Sequence, residues 1–252
     1  MNDPQRRSSV RDTAGPVKDR ADTNPRPPDE PPPEEIPPEA ASAETPVRWR
    51  ELLADAHAAL RVVVKGVPVG GWDLPTPCTE WTVGQVLRHT AGNQARFAAA
   101  ITGGRWPPDD PYAPGHSPPA DPLRITTESV ALARSAFTTV PDSAIAVPTP
   151  LPAGPLPPWI AAGACALDAA IHAWDIAVAT RQPSPLTPEI AYALLLISTE
   201  FVEQVRPYGA FAAPFDPIEE ARALGSAYTG ELPDDDASSV LRYLGRNPAW
   251  NP

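Results

Sequence analysis

Cysteine is scarce in this chain: Cys78 and Cys165 are the two among 252 residues, and no Cys-x-x-Cys spacing occurs. That leaves out a disulfide framework and a cysteine zinc site, and makes a reducing compartment the expectation. Basic residues are also few, 20 Lys and Arg against 31 Asp and Glu, for a formal charge of -11. Phosphate binding needs Lys and Arg clustered on one face, and no such cluster appears, so neither nucleic acid nor an anionic membrane is an expected partner. Long apolar runs are lacking as well. The pair Arg6-Arg7 is followed by polar residues rather than the apolar segment of a secretory or twin-arginine signal, and no later run reads as the eighteen or more apolar residues of a membrane span. The expected location is the cytoplasm. Missing too are a solenoid period, a phosphate loop, a dinucleotide glycine motif, a His-Glu-x-x-His and a nucleophile elbow.

Proline, by contrast, is abundant: the chain has 37, against an ordinary usage of roughly 5%. Its clusters mark boundaries. Residues 1 to 44, with RPPDEPPPEEIPPEA at their centre, hold almost no large apolar side chains and cannot bury enough surface to offset their ordering entropy. They are expected to form a disordered, acidic tail of polyproline II character. Residues 45 to 252 then form one helical domain, all-α in class. A first helix starts at Thr45-Pro46 and stops at Gly66, and a second follows the capping box of Thr82 and Gln85, with Val86, Leu87, Thr90, Phe97 and Ile101 as its apolar stripe. Asp121-Pro122 opens a third helix, with Leu123, Val130, Ala133 and Phe137 facing inward. The fourth, from Ile160 to about Thr180, is rich in small residues that permit close packing. Thr187-Pro188 opens a fifth, and a short helix around Ser238 to Leu244 closes one end. The stretch from Pro141 to Pro158 has room for a short edge strand or hairpin, and the loop from Gly103 to Ala120, with Trp106, Tyr112 and His116, either covers a site or connects helices.

The fourth helix carries the chemistry. Asp168 and His172 stand four residues apart, which on a helix stacks a carboxylate and an imidazole about 6 Å apart on one face. Asp175 shares that side and could orient a ligand from behind. A third ligand must come from another helix, and His89, beside the stripe of the second, is the candidate. Gln85, Asn93 and Arg96 point close to the direction of His89 and offer a polar rim. His57, among alanines in the first helix, reads as a solvated or packed imidazole. Two histidines and one carboxylate leave coordination positions open, as in catalytic zinc and equally in non-haem iron sites. From spacing alone, however, Asp168 and His172 read first as an i, i+4 hydrogen bond that needs no metal.

Three runs add to this reading: WDLPTPCTEWTVGQVLRHTAGN (Trp72 to Asn93), LDAAIHAWDIA (Leu167 to Ala177) and LRYLGRNPAW (Leu241 to Trp250). Together they resemble the DinB-like superfamily, and within it the branch containing the metal-binding domain of mycothiol-dependent maleylpyruvate isomerase and its uncharacterised actinobacterial relatives. The resemblance implies a four-helix bundle core, here with an extra helix and the short C-terminal one. It also implies a divalent metal, zinc first, held by His89, Asp168 and His172. The resembled isomerase has Glu where Asp168 stands, one methylene longer. It also has a further C-terminal domain that this chain is expected to lack, so maleylpyruvate isomerisation itself is not the expected reaction. The activity implied is metal-dependent transfer or isomerisation with mycothiol as the thiol cosubstrate and a small electrophile as substrate. A non-catalytic metal- or ligand-binding bundle is the alternative. Either would be a monomer or homodimer.

Overall fold

The computed structural model describes residues 47–78, 81–110, 112–117, 119–225 and 235–252. The expected tail and the Thr45-Pro46 helix start lie outside the described residues. Seven helices occur among them: α1 (Trp49–Gly66), α2 (Val83–Thr102), α3 (Pro122–Thr138), α4 (Pro158–Ala179), α5 (Pro188–Val205), α6 (Pro217–Ala223) and α7 (Asp236–Tyr243). α1 packs on α3 and α4, and α2 packs on the same two, so the first four helices close a ring. α5 lies against the outer side of α4, and α7 docks on α5.

The helix starts follow the chemistry of their caps. Thr82 and Gln85 form the reciprocal capping box of α2, and Asp121 and Thr187 cap α3 and α5 ahead of a proline in the first turn. α6 has no counterpart in the expected elements. It is seven residues long with no buried side chain, so it leaves no apolar periodicity to read. The Pro141–Pro158 stretch holds a single antiparallel bridge, Val147 to Leu156. Leu123 departs from its expected place. It is 50% exposed, because the first turn of α3 leaves it in a shallow groove beside Arg61 and Val62, while Thr126 is buried one turn on.

α4 is buried on almost every side, with Ala161, Ala162, Ala166, Ala169, Ala170, Ala173 and Ala177 all at 0% exposure. Its 22 residues are long and apolar enough to cross a membrane, an 18-residue stretch of them having a mean hydropathy of 1.3, but 94% of that stretch is buried within the fold. The apolar length is that of a core helix. Small residues let the neighbours come close, and at Gly163 an added Cβ would lie 2.4 Å from Ile197 Cδ1 of α5. Gly163→Ala should therefore lower the urea midpoint by the equivalent of about 1–3 kcal/mol, the usual cost of overpacking. An unchanged midpoint would show that α5 gives way freely.

Candidate metal centre

His89 projects from the second turn of α2, and Asp168 and His172 from the middle of α4. The structure brings all three together at one wall of a cavity of about 500 Å³. One donor atom from each lies within 4.8 Å of the others. Asp168 Oδ1 is 3.5 Å from His89 Nε2 and 3.8 Å from His172 Nε2. Two ligands of one zinc ion, each about 2.0–2.2 Å from it, stand no more than about 4.4 Å apart, so these separations suit a shared divalent ion. The i, i+4 pair is too long for the direct hydrogen bond that the spacing alone suggests.

The protons are placed to leave the right atoms bare. His172 Nδ1 lies 2.9 Å from Asp175 Oδ2, and an ionised carboxylate only accepts, so Nδ1 carries the hydrogen and Nε2 presents its lone pair. Asn93 Nδ2 donates to Asp168 Oδ1 at 2.8 Å and to His89 Nε2 at 3.0 Å, so this imidazole also offers an unprotonated Nε2. Asp175, fully buried, accepts from Arg246 as well, Nε to Oδ1 at 3.3 Å and Nη2 to Oδ2 at 3.0 Å. The thiol of Cys78 donates to the same Oδ2 at 3.2 Å.

Burial acts against the charge of each group, and its neighbours decide the outcome. It pushes His172 below its ordinary value, and the Asp175 hydrogen bond only partly opposes this, so the ring is neutral at pH 7. Burial also opposes ionisation of Asp168, but its contact with His89 and the field of His172 hold it down to about 2. Arg246 and then His172 overcome the burial of Asp175 and keep it well below the usual carboxylate range. Burial and the Asp175 charge push the Cys78 thiol up, so it stays protonated at neutral pH. A second grouping of potential ligands, Cys78, His172 and Asp175, is therefore a poor cation site. The Arg246 guanidinium already lies 3.0 and 3.3 Å from two of its three donor atoms.

Stability should consequently fall in two stages on acidification. His57 and His172 are harder to protonate when folded, so the unfolded chain takes up more protons as pH drops below 6.5, and the folded state loses ground. Asp168 and Asp175 have depressed folded values, so their contribution is complete above pH 3.8 and is lost as pH falls below it. Urea midpoints of chelator-treated protein from about pH 7.5 to about pH 3 should show both declines. A midpoint that rises between about pH 7.5 and 5.5 would contradict the first.

The rest of the cavity is mainly apolar, with Phe97, Leu167, Ile171, Phe201 and Phe211 in its walls. Trp81 lies against His89, ring centroids 4.6 Å apart, and half-exposed Tyr112 brings the long loop to the cavity. Arg96 also lines it. Its Nη2 donates to the Asp109 carbonyl at 3.1 Å, but its buried Nε has no hydrogen-bond partner, and no ion pair forms at Arg96 among the described residues. Gln85 is not at this rim. It is occupied by the capping box and by the Pro114 carbonyl.

Arg246, Cys78 and Gln94 were not assigned roles by sequence. Arg246 reaches Asp175 across 71 positions, after Gly245 turns the chain at φ 82 in a place where a Cβ would meet Ala213 O at 2.7 Å. Gln94 did leave a signal. It falls in the same apolar stripe as Leu87 and Thr90, where a polar side chain must find partners.

A helical bundle with two histidines and one carboxylate converging at a cavity wall defines a candidate metal-binding bundle protein. Residues 53–177, which include all three, match the family described as mycothiol maleylpyruvate isomerase N-terminal domain. The chain belongs to this family. It is 31% identical over 211 residues to uncharacterized proteins of Mycobacterium tuberculosis strains CDC 1551 and H37Rv, covering 80% of this chain and 97% of each relative. No solved structure matches it.

Proposed function

We propose that the protein is a metal-dependent enzyme that joins a low-molecular-weight thiol, mycothiol, to a small electrophile or isomerises that electrophile through it. The convergence of His89, Asp168 and His172 at the wall of a cavity of ligand size carries this reading. Those three residues would hold a divalent ion, zinc in the first instance, and when bound such an ion favours thiolate over a thiol of pKa about 8.5.

The chain's own residues supply the rest. Asp175 keeps the proton of His172 on Nδ1, and Arg246 keeps Asp175 ionised. The aromatic and aliphatic walls exclude water from the thiol and its acceptor. Arg96, uncommitted at Nε, can hold an anionic or carbonyl group of either reactant. Cys78 remains a neutral thiol and serves as a hydrogen-bond donor rather than a nucleophile.

Zinc-loaded protein given mycothiol and a panel of maleylpyruvate, an epoxide and an alkyl halide should, with at least one of them, exceed the uncatalysed rate, read as thiol consumed with the epoxide or halide and as isomer formed, with the thiol returned, for maleylpyruvate. The rate should vanish with a chelator, and Arg96→Met should raise KM more than it lowers kcat. Bound zinc without turnover across the panel would reject the enzyme in favour of a binding module.

A further inference from the structure

The two oxygens of Asp168 have different surroundings. Oδ2 accepts from Thr90 Oγ1 at 2.6 Å and from Gln94 Nε2 at 3.0 Å. Oδ1 faces the two imidazole Nε2 atoms and Asn93. The direction of the Gln94 amide follows from its other contacts. Nε2 also donates to the carbonyl of Cys165 at 3.0 Å, an atom that can only accept. Oε1 must then be the acceptor toward His57 Nε2 at 2.8 Å and Cys165 Sγ at 2.9 Å. His57 therefore carries its proton on Nε2, and its buried Nδ1, which has no hydrogen-bond partner among the described residues, is the bare nitrogen of a neutral ring. A chain of donors runs from α1 through α2 to α4, and it ends on one oxygen of one carboxylate.

We infer that Thr90 and Gln94 are positioning residues that withhold Oδ2 of Asp168 from coordination, so that Asp168 ligates a metal through Oδ1 alone, with His57 fixing the Gln94 amide. This rests on the reading of His89, Asp168 and His172 as the metal site. It gives the short side chain a reason. The resembled isomerases carry glutamate here, but a carboxylate set about 1.5 Å further out would leave the donors of Thr90 and Gln94 behind. The site is built for aspartate, and restoring the longer residue should weaken it.

The test uses the full chain, with Zn²⁺ affinity measured by competition against a chromophoric chelator, the visible spectrum of the Co²⁺ form, and the thermal midpoint of each variant. Gln94→Met should weaken Zn²⁺ binding about 10- to 100-fold, the usual effect of losing a hydrogen bond to a metal ligand, and should alter the Co²⁺ spectrum. His57→Leu should weaken binding in the same direction, while His57→Gln, which keeps a donor toward Gln94 Oε1, should restore it. Asp168→Glu should bind less tightly than the parent. Should Gln94→Met fail to fold, Thr90→Val removes the other donor to Oδ2 and carries the same expectation. Unchanged affinity and spectrum on losing either donor, or tighter binding by Asp168→Glu, would overturn the inference. A parent protein that binds no Zn²⁺ would overturn the metal reading itself, and this inference with it.

Discussion

His172→Ala should purify without stoichiometric metal, and its Zn²⁺ affinity should fall on the order of 1000-fold or more, equivalent to about 4 kcal/mol. The other donors beside His172, Cys78 and Asp175, are held to each other and to Arg246 and so are poorly placed to replace the one removed. Asn93, which touches both remaining ligands, presents its amide nitrogen to Asp168 and His89, and an amide N–H is no metal ligand. The fold should survive. Asp175 keeps its two contacts with Arg246, so no buried charge is left unpaired, and the lost ring opens onto the cavity rather than leaving a sealed void. Elemental analysis of the two proteins, with thermal midpoints taken alongside, settles the matter. Equal metal content in both would remove His172 from the site and the proposed chemistry with it.

Asp175→Asn should cost about 3–5 kcal/mol of stability, the largest loss expected from any change of similar shape. The carboxylate has no exposure and accepts from His172, Cys78 and twice from Arg246. Neutralising it strands a guanidinium that is 11% exposed and whose further polar partners among the described residues are the Leu244 carbonyl and the Cys78 sulfur. His172 also exchanges a charged acceptor for a neutral amide that fixes its tautomer less firmly, so Zn²⁺ affinity should drop about 10- to 100-fold in parallel. The double variant Asp175→Asn with Arg246→Met separates the two effects. It should recover most of the stability, because the stranded charge is gone, and none of the metal affinity. An Asp175→Asn urea midpoint within the equivalent of about 1 kcal/mol of the parent would show that Arg246 reaches solvent.

Local chemistry made much of this molecule legible in its sequence. Thr82 with Gln85, Asp121 with Pro122 and Thr187 with Pro188 announce three helix starts through side chains that must satisfy nearby backbone groups, and the structure has all three. Asp168, His172 and Asp175 share one side of α4 for the same reason, since 3.6 residues per turn fixes their directions. His89 was placed by resemblance as much as by its wheel position. What escaped was non-local. Nothing near Arg246 says that it will meet Asp175, and Leu123 looks as inward as Val130 on a wheel that knows nothing of where the neighbouring helix ends. Gln94 and His57 were different, being polar residues on inward faces whose burial implied partners that spacing could not name.

α4 has one more consequence. Alanine lies on every side of it, so apolar contact fixes its rotation mainly where side-chain size differs, at Gly163 against Ile197 and at bulky residues such as Trp174. Asp168, His172 and Asp175 add a distinction of polarity. Turned by a single residue, about 100°, Asp168 would leave Thr90 and Gln94, Asp175 would leave Arg246, and each would face hydrocarbon. The groups that form the cavity wall thus act as the key that sets how the central helix sits among its neighbours. A chain stripped of them would forfeit a single packing arrangement along with its chemistry, much as a lone polar residue sets register in a coiled coil.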